Sequence, residues 1–353
     1  MTERGERETM WIKVKGIGAL GAGLVLAAVL LTACGGDDST GETSVESGGD
    51  ETPTEMTIGT QPWIGYGPMW IVEEKGYDLD HGVDIKLTNF TTDQDLETGF
   101  ASGKFQGVNY INNNLIRLAD LGFDFRIVMM EDISLEADGV ISCNPDIDSI
   151  EDVEGAKVAF EEFGGSEILF RHALNEAGID FDSIEYVPIP SADAGTAAVA
   201  GKVDAAVTYE PYLQAALQEG DNCKVIYTAA EKPGLISDVL AFSPEFAEDQ
   251  PDAVVGAMRA WDDAVGFYNE NPEEAKAIIA RNVGAKPDEL APSFDGIKLF
   301  DLEESQAFLT NDFEALWNDI KAIMAEQEGQ LKGDPQVSDY LDTTFGDQAL
   351  EGS

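Results

Sequence analysis

Trp63 and Tyr66 stand on the loop Gln61-Pro62-Trp63-Ile64-Gly65-Tyr66-Gly67-Pro68, just after a predicted strand. Two aromatic rings on such a loop can wall an apolar pocket or offer a face to a cation. Trp63 suits equally a cover over the end of a domain. Gly164-Gly165-Ser166 falls between a predicted strand and a predicted helix. Unpaired N–H groups at a helix start attract a carboxylate or sulfonate, and Ser166 also suits a plain N-cap. Other chemistries lack material. The chain has 2 histidines, His81 and His172, and 3 cysteines. None has zinc spacing, no EF-hand-like loop is present, and no nucleophile stands beside a base. No metal, no cofactor and no enzymatic activity are expected.

The elements that must position these residues alternate. Strands are expected at 56–58, 83–87, 107–110, 126–130, 139–143, 157–160, 184–187, 204–207 and 224–227. Helices are expected at 69–75, 93–102, 115–121, 166–177, 192–200 and 211–218. Interleaved strands and helices argue an α/β fold with mostly parallel sheets. Beyond Pro244 the pattern turns helical, at 252–269, 272–282 and 312–327.

One similarity is internal. Ala101-Ser102-Gly103-Lys104-Phe105-Gln106-Gly107-Val108-Asn109-Tyr110 resembles Ala200-Gly201-Lys202-Val203-Asp204-Ala205-Ala206-Val207-Thr208-Tyr209. Each is an Ala-bearing helix end, a Gly-Lys turn and a strand finishing in Tyr, which suggests two related α/β lobes. Ligands of parallel α/β sheets sit beyond the carboxyl ends of the strands. Asn109, Tyr110, Tyr209 and Glu210 are therefore expected at one inter-lobe cleft.

The N-terminus carries a different signal. Lys13 and Lys15 precede an uncharged apolar stretch ending in Leu31-Thr32-Ala33-Cys34. This resembles a bacterial lipobox, with cleavage before Cys34 and a lipid on its thiol. Met10 is a plausible alternative start. Residues 34–55 hold almost no apolar side chains and read as a flexible acidic tether. With 68 Asp+Glu against 21 Lys+Arg, the formal net charge is −47. Such a surface repels phosphates, so nucleic acid is not an expected partner, and the acidity suits a salt-rich milieu. Apolar residues at 43% suffice for a core. Outside the cytoplasm Cys143 and Cys223 could form a disulfide; two free buried thiols are the alternative.

From Met56 to about Phe345 the chain resembles the periplasmic substrate-binding proteins of ABC importers, of the nitrate/sulfonate/taurine type. The resemblance rests on segments in order: Gln61–Tyr66; Glu73-Glu74-Lys75-Gly76-Tyr77; Ala101–Lys104; Asp132-Ile133-Ser134; Ala137-Asp138; Tyr209-Glu210-Pro211-Tyr212; and Pro233–Val239. It implies a bilobal type II periplasmic-binding-protein fold, two α/β lobes joined by two crossover strands, with a helical C-terminal part. Signal peptide 1–33, tether 34–55, lobe one at 56–138 and 239–353, and lobe two at 139–238 follow. The resemblance also implies a small-molecule ligand between the lobes, a permease and its ATPase as partners, and a lipid-anchored place at the outer face of the membrane. A monomer is expected.

The expected ligand-binding residues are Gln61, Trp63, Tyr66, Asn109, Tyr110, Asp132, Ser134, Glu162, Gly164, Gly165, Ser166, Tyr209, Glu210 and Asp238. Four are carboxylates, and no cleft segment brings an Arg to hold a bare anion. A zwitterion such as taurine or an aliphatic aminosulfonate, a small amine or a pyrimidine fits better than nitrate. Two alternatives stand beside the importer reading. One is a sensing or adhesion lipoprotein without a permease. The other is a pyrimidine-forming enzyme of the same fold, though relatives of that kind use a Cys-rich motif and a sacrificial His absent here.

Overall fold

The computed structural model describes residues 52–326 and 331–351. Cys34 and the expected signal peptide lie outside the described residues. The strands are β1 Thr54–Thr60, β2 Val83–Asn89, β3 Gly107–Ile111, β4 Arg126–Ser134, β5 Asp138–Ser142, β6 Lys157–Phe160, β7 Glu185–Pro188, β8 Ala205–Tyr209, β9 Lys224–Thr228, β10 Ser237–Phe242 and β11 Ile297–Leu299. They form two sheets, one ordered β11-β4-β10-β3-β1-β2 and one ordered β7-β6-β8-β5-β9. β1 takes in the last two residues of the expected tether, because Thr54 and Glu55 pair with Val83 and Asp84 of β2.

The two sheets repeat one plan. β3 lies between β1 and β10, and β8 lies between β6 and β5. β1 and β3 are parallel, as are β6 and β8, while β10 and β5 run antiparallel to those central strands. The internal sequence similarity falls on the two central strands and the turns before them. Gly103 and Gly201 both take left-handed φ, 70° and 65°. The next residues, Lys104 and Lys202, close the same capping turn by donating to Gly99 O and Ala197 O. Even the side-chain lock recurs: Gln106 accepts from Thr57 N, and Asp204 accepts from Lys157 N.

Helices cover the first sheet. Trp261, on the long helix Pro251–Glu270, is fully buried and donates its indole N–H to Phe300 O at 2.9 Å. The helix expected at 312–327 is Phe313–Ala325, and a further helix, Leu302–Asn311, precedes it. This further helix starts where Asp301 caps Glu304 N.

A disulfide joins Cys143, just after β5, to Cys223, just before β9, across 80 residues of sequence. It pins two paired neighbours of the second sheet. Replacing both cysteines by Ser is expected to cost about 2–4 kcal/mol, the usual range for a bridge closing a long loop. Urea midpoints of the two forms measure this, and non-reducing mass spectrometry verifies the bond.

Candidate functional site

A cavity opens between the two sheets. From the first-sheet side it is lined by Gln61, Trp63, Tyr66, Asp93, Ile111, Ile236 and Asp238, and from the second-sheet side by Asp138, Gly165, Ser166, Ser191 and Tyr209. It offers about 50 Å3 to the centres of water-sized molecules. Roughly 10–15 Å3 on that measure holds one water, so the space takes several waters or the polar part of a small solute.

The aromatic wall is built by the 61–68 loop and β8. Trp63 and Tyr209 meet edge to face across the gap, ring centres 5.9 Å apart. The Trp63 indole N–H is held from behind by Asp132, at 3.2 and 3.3 Å from its two oxygens. The Tyr66 hydroxyl donates to Asp238 Oδ1 at 2.6 Å. The Tyr209 hydroxyl is buried and has no partner among the described residues.

The floor is acidic. Asp238 on β10 stands opposite Asp132 on β4 in the ladder. Burial and then their mutual repulsion hold Asp132 well above the usual carboxylate range, and burial raises Asp238. Two such carboxyls share protons, because both cannot ionise side by side. Neighbouring Glu131 is buried with neither carboxylate oxygen partnered among the described residues, and burial raises its carboxyl well above the usual range. Asp138, 8% exposed, leaves its Oδ2 unpartnered. Burial pushes this carboxyl up to about 8.

The far side closes on a carboxylate that belongs to the first-sheet half. Asp93 opens the helix Asp93–Ala101, and its backbone N–H donates to Glu161 at 2.9 Å. Glu161 also accepts from Ser191 N at 3.1 Å, and the Ser166 and Ser191 hydroxyls lie 2.8 Å apart. Burial, then Glu161, raises Asp93 well above its ordinary range. Gly164 and Gly165 permit the approach. A side chain at 164 would overlap Asp93 Oδ2, and a Cβ at 165 would stand 2.7 Å from Ile111 Cδ1. Among the described residues no Lys, Arg or His lines the cavity. Nearby Arg117 is paired with Glu97 and lies 5.4 Å from the Phe163 ring.

Of the expected residues, Gln61, Trp63, Tyr66, Gly165, Ser166, Tyr209 and Asp238 line the cavity. Asp132 supports it through Trp63, and Gly164 borders it as N-cap of the helix Gly165–Ala177. Others stand elsewhere. Asn109 is buried against Thr60, and Tyr110 is buried with its hydroxyl on Asp93 O. Side chains alternate along a strand, so Ile111, not Tyr110, faces the gap. Ser134 accepts from Asp138 N. Glu162 is solvent-exposed, and its neighbour Glu161 does the bridging. Glu210 caps Gln214 N from a position off the lining, its carboxyl raised by burial to about 6. Sequence reasoning missed Asp93, Ile111, Asp138, Ser191 and Ile236 as lining residues. His81 pairs with Asp263 and His172 with Glu176, both away from the cavity. Among the described residues no group of three His, Cys, Asp or Glu is placed to hold a metal, and no helix is long and apolar enough to cross a membrane.

Comparison with known proteins gives four findings. The sequence pattern of the "NMT1/THI5 like" family matches residues 63–275. A Bacillus subtilis (strain 168) protein named for binding aliphatic sulfonates is 26% identical over 347 residues, covering 93% of this chain and 96% of that one. The Escherichia coli periplasmic aliphatic sulphonate binding protein SsuA superposes with a TM-score of 0.70 at 20% identity, over 82% of this chain and 92% of that one. The desulfurization enzyme DSZB has the same fold, with a TM-score of 0.64 at 14% identity over 85% of this chain and 99% of that one.

Proposed function

This chain belongs to the NMT1/THI5-like family, and on that premise we propose that it is the solute-binding component of an ABC importer. It takes up one small polar, nitrogen- or sulfur-containing solute between its two lobes and presents it to a permease driven by an ATPase subunit. The expected divisions at 138/139 and 238/239 fall just inside β5 and β10, so the lobes divide between β4 and β5 and between β9 and β10, and a lipid on Cys34 holds the chain at the outer face of the membrane. The observation that carries the reading is the cavity itself, lined in comparable measure by residues from both sheets. A site assembled from two halves makes closure the consequence of binding, because the ligand binds the closed arrangement better.

The enzyme reading has little support in the lining. It contains no Cys and no His, and acyl or nucleophilic chemistry needs a nucleophile beside a base. A permease-free sensing role would use the same cavity. Stimulation of the partner ATPase by the loaded protein separates that role from import.

The direct test is thermal unfolding with a wide panel of amines, amino acids, aminosulfonates, pyrimidines and sulfonates. A solute at one hundred times its Kd stabilises the folded state by about 2.7 kcal/mol. The gain should vanish in Trp63→Ala. A panel without any shift contradicts the proposal.

Closure also predicts an effect at Gly165. Alanine there sets a methyl against Ile111 Cδ1 and pushes the halves apart. Solute affinity should fall by roughly 1–3 kcal/mol, the ordinary cost of overpacking, while the free protein's urea midpoint changes less. Titration calorimetry on the variant measures the first, and equal affinities for the two proteins would exclude closure onto this contact.

A further inference from the structure

Resting on the solute-receptor reading above, we infer that the solute is a small organic ammonium ion without an acidic group. The protein supplies its own carboxylate, Asp93, to the one place in the cleft suited to an acidic head.

That place is the start of the helix Gly165–Ala177. Its N-cap, Gly164, brings no capping side chain. The first-turn amides of such a helix favour a negative group. Asp93 Oδ2 already occupies the space against Gly164, so close that even a Cβ at 164 would overlap it. The backbone of Asp93 is fixed there by Glu161 and by Tyr110. A zwitterion would have to displace this carboxylate or place its acidic end beside it.

The rest of the cleft asks for a cation. Asp138 Oδ2 is more than nine-tenths buried, lines the cavity and has no protein partner. An acceptor left so is costly unless the ligand completes it. An ammonium group is donor-only, with N–H groups for Asp138 and Asp238, and the rings of Trp63 and Tyr209 suit its alkyl substituents. A sulfonate or carboxylate would meet Asp93, Asp138 and Asp238 with no Lys, Arg or His among the lining residues. Asp93 thus excludes acidic solutes by filling the space their acidic head would take.

Titration calorimetry with ethanolamine, propylamine, taurine and ethanesulfonate tests this. Ethanolamine and taurine share an aminoethyl skeleton and differ in a hydroxyl against a sulfonate. Ethanolamine or propylamine should bind the wild-type protein at least tenfold more tightly than taurine and ethanesulfonate. In Asp93→Ser and in Asp93→Ala, both of which clear that space, taurine should bind at least tenfold more tightly than to wild type. Thermal midpoints report whether each variant is folded. Taurine or ethanesulfonate binding wild type as tightly as the ammonium ions overturns the inference and leaves the solute-receptor reading standing. Failure of both ammonium probes to bind overturns it too, and the wider panel above then decides the receptor reading separately.

Discussion

Replacing Asp138 by Asn should stabilise the empty protein above neutral pH and weaken solute binding in the same molecule. The two effects share a cause. Burial pushes the Asp138 carboxyl up to about 8, so at higher pH the folded chain must hold a buried charge whose Oδ2 meets no donor. Asn keeps the shape and removes that charge. The groups facing residue 138 are the Ser134 hydroxyl and the carboxyls of Asp238 and Glu210; none is cationic, so no ion pair is lost. The solute does lose a charged partner, worth about 1.5–3 kcal/mol for a hydrogen bond to an ionised group, or roughly ten- to a hundredfold in affinity. A binding residue that is poorly satisfied without ligand trades stability for function. Urea unfolding at pH 8.5 and titration calorimetry measure the two halves. A less stable, equally tight-binding Asn variant would make Asp138 a structural residue.

The second large effect is on pH. An unfolded Asp ionises near about 3.9, whereas folded Asp138 holds its proton up to about 8. Asp132 and Asp238 are raised in the same direction, chiefly by burial. Between those limits the folded state binds more protons than the unfolded one, so stability falls as pH rises. The contribution is full below the unfolded pKa and is lost as pH climbs through the folded value. The free protein's thermal midpoint should therefore drop from pH 5 to pH 8.5. The surface charge adds self-repulsion over the lower part of that range, so the informative quantity is wild type minus Asp138→Asn at high salt, where surface charges are screened. That difference should decline with pH, and a flat difference would contradict the burial of Asp138. A cationic solute that ionises these carboxyls releases protons on binding, so its affinity should rise over the same interval.

Much of the fold was legible because its signals are local. Alternation marked Val83, Ile85 and Leu87 as β2, and the Gly-Lys turns marked the two central strands. β10 was not marked as a strand from its pattern. All six of its residues are buried, so it has no polar face to create alternation. The helix at 302–311, absent from the expected elements, had a usable signal, Asp301 followed by Glu304, a cap-like spacing.

The site was legible in part for a similar reason. Trp63, Tyr66 and Ser166 stand on loops and element starts whose chemistry is visible in sequence. Tyr110 misses the cavity by one position, because alternation along β3 turns Ile111 to the gap, and the bridge to Asp93 is made by Glu161 and not by Glu162. Asp93 reads as an ordinary acidic residue in a helix's first turn. Only the approach of Gly164, some seventy positions away in sequence, gives it another meaning.

The central claim is a cleft that holds one ammonium solute between two sheets. A crystal structure of the protein grown with the tightest-binding ammonium probe tests it most directly. The account predicts one bound molecule, its nitrogen about 2.7–3.2 Å from Asp138 Oδ2, with Trp63 and Tyr209 against its carbons and Asp93 still at Gly164. A molecule bound elsewhere, or one whose nitrogen points away from Asp138 and Asp238, would contradict it.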